Sequence, residues 1–111
     1  GWECWNNFPY ERERLIDLID RSNVKHTVLL SGDRHRGGHY ELKTKSNKII
    51  SEMTSSSLNV PYSNSEEPGP LRIGSTYSKE NYGVIQLVES QDSISVMLKN
   101  IRGEVVTSFK L

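Results

Sequence analysis

The sequence predicts a mixed α/β (α+β) fold, with one N-terminal helix and then a β-rich segment ending in an antiparallel meander. Three observations carry this. Leu15, Leu18 and Ile19 recur at helical spacing, and Ile16 widens the stripe. Thr27-Val28-Leu29-Leu30 is a short apolar run ending at Ser31-Gly32, the pattern of a strand buried on both faces. Towards the end of the chain Ile94, Val96 and Leu98 alternate with less apolar residues, and Val105, Thr107, Phe109 and Leu111 share one face of a further strand.

In chain order, residues 1–9 are aromatic and polar, with Trp2, Trp5 and Phe8 expected to pack and Pro9 suited to a helix start. The helix is predicted over 10–21, and Ser22-Asn23 closes it. The apolar run 27–30 follows. Residues 39–43 and 49–53 read as two strands joined by a polar turn at 44–48. Residues 54–82 read as irregular, with a Thr54-Ser55-Ser56-Ser57 run and then Pro61, Pro68, Gly69 and Pro70. Such a stretch inside a compact domain is more often functional or packed on a partner than accidental. The meander occupies 83–111, turning at 90–92 and 100–103.

Composition narrows the classes. The chain has 111 residues, 34% of them hydrophobic, so its core must be thin or completed by something else. Fourteen basic and fourteen acidic residues cancel, which leaves no basic field for nucleic acid. The single cysteine, Cys4, excludes an internal disulfide and a cysteine-built zinc site. No stretch approaches the roughly 20 apolar residues of a membrane span. The chain opens on Gly-Trp-Glu-Cys-Trp, without Met or a signal peptide, and is expected to be cut from a longer one.

Chemical side chains are densest in Gly32-Asp33-Arg34-His35-Arg36-Gly37-Gly38-His39, directly after the apolar run, within a loop over 31–39. In open α/β sheets, sites gather at the carboxyl ends of strands. Asp33 and His35, two apart, can bring an oxygen and an imidazole to one or two metal ions, and Arg34 and Arg36 add charge suited to a phosphate ester. By spacing alone an ordinary turn, with Asp33 capping its own backbone and His35 exposed, is the favoured alternative. His26 reads as a surface residue and His39 as a structural residue of a strand. The hydroxyls of the 54–57 run suit either a phosphate or local capping bonds.

Several ordered segments resemble the alkaline phosphatase D (PhoD-like) family of metallophosphoesterases. These are Trp5-Asn6-Asn7-Phe8-Pro9-Tyr10-Glu11-Arg12 with Leu15-Ile16, then Val28-Leu29-Leu30-Ser31-Gly32-Asp33-Arg34-His35, then Glu52-Met53-Thr54-Ser55-Ser56-Ser57-Leu58-Asn59. Arg72-Ile73-Gly74 through Tyr77 and Asn81-Tyr82-Gly83-Val84-Ile85 complete the set. The resemblance implies the C-terminal part of a calcineurin-like metallophosphoesterase sandwich and a centre of two divalent or trivalent metal ions (Fe, Zn, Mn or Ca). Water activated there would attack a phosphate-ester substrate in line. It implies Asp33 as ligand to one metal, His35 as ligand to the other, and Arg34 as a helper for charge on the phosphate. It also implies export in bacteria. The family often carries an acidic residue where Gly38 stands, which leaves that position without its role.

The family's other ligands would lie before residue 1, so the chain is expected to hold only the last ligand loop and to be inactive by itself. Two rivals stand beside this reading: a non-catalytic β-rich binding module, and a complementing chain that docks on a separate N-terminal part of the same fold. A partial fold should expose an apolar sheet face and self-associate through it.

Overall fold

The computed structural model describes residues 4–62 and 69–111. Trp2, expected to pack, and residues 63–68 of the stretch expected to be irregular lie outside the described residues. After a single 3-10 turn (Trp5–Asn7), helix α1 spans Pro9–Arg21. Proline suits its first turn, where no amide partner is needed, and the Ser22 amide closes it by donating to the carbonyls of Leu18 and Ile19.

Helix α1 buries none of its residues, and Leu18 is 62% exposed. Polar contacts fasten it to the turn at 44–48. Lys45 Nζ lies 3.3 Å from Asp17 Oδ1, the Ser46 amide and hydroxyl both donate to Asp20 Oδ1, and Lys48 Nζ donates to the carbonyls of Ile19 and Ser22. Trp5 and Phe8, expected to pack, are instead exposed. The helix beside them buries nothing either, so this end of the chain has no apolar layer against it among the described residues.

Strands β1 (Thr27–Ser31), β2 (Gly37–Lys43), β3 (Ile49–Thr54) and β4 (Arg72–Tyr77) form one sheet, in the order β1-β3-β2-β4. β1 runs parallel to β3, with Ser31 opposite Thr54; β2 is antiparallel to both β3 and β4. Strands β5 (Asn81–Val88), β6 (Ser93–Asn100) and β7 (Val105–Lys110) form the antiparallel meander that the apolar alternation predicts. Among the described residues one α-helix and two sheets give an α+β fold, with a β-rich segment after the helix.

Two expectations change. Strand β1 is an edge strand, half-buried at best, and Leu30 is 61% exposed. Among the described residues it pairs on one side only, and the partial exposure of its side chains shows that its apolar run does not lie between two covered faces. Within 54–82, β4 is regular, although Arg72-Ile73-Gly74-Ser75-Thr76-Tyr77 lacks apolar alternation. It is the other edge of the sheet, its pairing to β2 shifts register between Gly37 and His39, and Gly74 adopts φ +73.

The two sheets pack face to face around Met53, Val96 and Leu98, with Val28, Tyr77 and Phe109 against them. Leu98 is fully buried. The core is as thin as the composition predicts. His39 of β2 is 5% exposed, and its ring stacks on Phe109 of β7 with centroids 4.4 Å apart. At the start of β2, a Cβ on Gly37 would stand 2.5 Å from Leu98 Cδ2, so glycine there is what lets the sheets close at this end.

Candidate functional site

Topology alone determines where the Asp33–His35 loop must go. β3 lies between β1 and β2, and Thr54 at its carboxyl end pairs with Ser31 on one side and Gly38 on the other. The chain from β1 to β2 therefore crosses over the end of β3, where residues 55–57 leave the sheet. The crossing is held by bonds between these two segments. The Ser55 amide donates to the Ser31 carbonyl at 3.0 Å. Ser56 Oγ accepts from the Arg34 amide at 3.0 Å and from the His35 amide at 2.9 Å.

Ser56 is itself clamped by Asn81, which begins β5 and is 1% exposed. Asn81 Oδ1 accepts the Ser56 amide at 3.0 Å, and Asn81 Nδ2 donates to the Ser56 carbonyl at 2.7 Å and to the Lys79 carbonyl at 2.8 Å. A buried amide left unpaired costs about 1–3 kcal/mol, so this residue has little choice of orientation.

Asp33 (φ 57) and His35 (φ 54) both occupy the left-handed region. For residues other than glycine this costs about 1 kcal/mol or more each, with Asp among the more tolerant types. The surrounding bonds hold the strained loop in place. Beneath it, Ser31 Oγ donates to Glu52 Oε1 at 2.6 Å and lies 2.7 Å from Thr54 Oγ1.

The His35 ring is fixed from two directions. Nδ1 lies 2.5 Å from the Val60 carbonyl oxygen, and the ring stacks on Tyr62 with centroids 4.5 Å apart at 12°. The Tyr62 amide donates back to the His35 carbonyl at 2.9 Å. A carbonyl oxygen can only accept, so Nδ1 carries a proton, which in the neutral tautomer leaves the lone pair on Nε2. The Asp33 carboxylate is exposed and receives no hydrogen bond from the described residues. An uncommitted carboxylate and an imidazole with a free Nε2 lone pair, its Nδ1 bonded to a carbonyl, have the donor chemistry of metal ligands. Among the described residues no three His, Cys, Asp or Glu side chains converge on one point.

The other candidates fall out separately. Arg34 is half-buried in the loop, with its amide on Ser56. His39 is a sheet residue, and burial pushes its imidazole pKa down while Glu41, whose Oε1 lies 3.4 Å from Nε2, pushes it up. His26 is exposed and lines a surface groove of about 540 Å3 with residues 22–25 and 47–49, a groove lined by none of the loop residues. At Gly38 a Cβ would meet the Tyr40 ring at 3.1 Å, so a larger side chain there requires that ring to shift by a few tenths of an ångström. Ser57 Oγ accepts the Val60 amide at 2.8 Å, a local capping bond, whereas Ser56 Oγ is taken up by the distant Arg34 and His35 amides.

Val60, Tyr62 and Asn81 escaped the sequence reading of the site, and Ser56 was read for phosphate contact or local capping and not for holding the loop. The available signal was the resemblance over Glu52–Asn59 and Asn81–Ile85, which marked two of the segments without giving these residues their roles.

Fold and loop together define an α+β protein with two packed sheets and its chemical side chains gathered where β1 and β3 end. Over residues 2–110 the sequence matches the family description PhoD-like phosphatase, and the chain belongs to that family. Searches of curated proteins and of solved structures gave no match.

Proposed function

We propose that this chain supplies the last metal-ligand loop of a phosphoesterase built on a calcineurin-like sandwich. The observation that carries the reading is the pairing of an uncommitted Asp33 carboxylate with a His35 ring whose Nδ1 is tied to the Val60 carbonyl. Membership of a phosphatase family supplies the reaction class, hydrolysis of a phosphate ester.

Asp33 and Nε2 of His35 would hold the metals, one ion each. An oxygen with a nitrogen donor suits Fe, Zn or Mn, and Ca would lean on the carboxylate. When bound, the two ions supply Lewis-acid polarisation of the phosphoryl oxygens and activation of water. Arg34 would add positive charge for the phosphate oxygens. Two donors do not fill two coordination spheres, so the remaining ligands come from elsewhere in the parent protein. The chain alone then binds divalent metal weakly and turns over nothing.

The test is metal-dependent turnover of 4-nitrophenyl phosphate and of bis(4-nitrophenyl) phosphate by the intact protein. Removing an outer-shell partner already costs 10- to 100-fold in metal enzymes, so Asp33→Ala and His35→Ala should each lower kcat/KM by more than about a hundredfold. Activity that survives both substitutions would sink the reading.

A further inference from the structure

We infer that Ser56, set by the buried Asn81, is the positioning residue of the Asp33–His35 loop. The inference rests on the metal-ligand reading above only for its consequence; the clamp is defined by bonds within the chain.

The two backbone amides that follow Asp33 converge on one oxygen, Ser56 Oγ, at 3.0 and 2.9 Å. Consecutive amides beside left-handed residues form a concavity that takes an electronegative atom. Here the hydroxyl of Ser56 fills it, so these amides serve loop shape and not anion capture. Ser56 cannot drift, because Asn81 bonds both its amide and its carbonyl from a position 1% exposed. The chain then continues through Ser57, whose hydroxyl takes the Val60 amide, to the Val60 carbonyl that fixes the His35 ring. One short segment thus sets both the backbone of the ligand loop and the tautomer of its histidine.

Three readouts in the intact protein test the clamp. In the metal-free protein, Ser56→Ala should raise amide exchange in peptides covering 31–37 by tenfold or more. It should also shift the 15N signals of His35 from the Nδ1–H pattern toward a tautomer mixture. Exchange in peptides covering the core residues Met53 and Leu98 should stay as in the wild type. Ser56→Thr keeps the hydroxyl and should restore both signals. In a titration with Mn2+, Ser56→Ala should weaken the dissociation constant by about ten- to a hundredfold, the range for loss of an orienting partner. Wild-type exchange and wild-type His35 signals in Ser56→Ala would overturn the clamp. A wild type that binds no Mn2+ would instead overturn the metal reading, while exchange and tautomer still decide the clamp.

Discussion

Nδ1 of His35 stands 2.5 Å from the carbonyl oxygen of Val60, while the face of the same ring lies on Tyr62. The first contact selects the tautomer and the second limits rotation of the ring. Stacked aromatic pairs contribute about 0.5–1.5 kcal/mol beyond area burial, which is roughly two- to twelvefold in an equilibrium. If His35 is a metal ligand as proposed, Tyr62→Ala should weaken metal binding by about that factor, read as the dissociation constant for Mn2+, while Tyr62→Phe should leave it near the wild-type value.

Gly37 tests the closure of the sheets at the site end. A methyl there would meet Leu98 Cδ2 at 2.5 Å and Asn81 Oδ1 at 3.2 Å, and both neighbours are buried. Overpacking of this kind costs about 1–3 kcal/mol. Gly37→Ala should lower the urea midpoint accordingly, and it should also loosen the loop, because one of the displaced atoms belongs to the Asn81 clamp. Unchanged stability would mean that the sheets separate more easily here than the packing around Leu98 indicates.

His39 gives stability a pH dependence. Burial lowers its pKa below the ordinary histidine value of 6.5, with Glu41 opposing in part. The folded state thus prefers the neutral ring, so the contribution is whole above pH 6.5 and declines as pH falls through the folded-state value. Melting temperature should drop between pH 7.5 and pH 5. The drop should be smaller in His39→Gln, and equal drops in the two proteins would show that other groups govern it.

Lys48 is a tether for the helix. Its ammonium donates to the Ile19 and Ser22 carbonyls at the C-terminal end of α1, where the helix dipole favours a cation. Lys48→Met keeps the stem and removes the charge. The expected loss is about 1 kcal/mol, seen as faster amide exchange confined to α1. Loss of protection throughout the β-sheets would show that the helix supports more than its own end.

Helix, hairpin and meander were legible in the sequence because each carries its own periodicity over a local stretch. Thus α1 spans Pro9–Arg21 against an expected 10–21, and β2 and β3 extend the expected 39–43 and 49–53 by a residue or two. β4 was not legible, since an edge strand that pairs mainly through its backbone has no need of alternation. The exposure of Leu30 was hidden for the converse reason: an apolar run shows what a strand could bury, not whether a neighbour is there. At the site, Asp33 and His35 could be picked out by side-chain type. Their supports could not, because Ser56, Val60 and Asn81 act largely on or through backbone groups 21 to 25 residues away, and backbone groups are the same in every residue.

The position of β3 between β1 and β2 also orders events in time. β2 and β3 are neighbours in sequence and can pair as a hairpin early, whereas β1 reaches β3 only by closing a much longer stretch of chain. The loop over Thr54 acquires its shape when that closure happens, and the Asn81 clamp waits further for β5 to dock. The Asp33–His35 loop is then expected among the last parts of the chain to form, and its protection in a refolding time course should lag behind that of the hairpin.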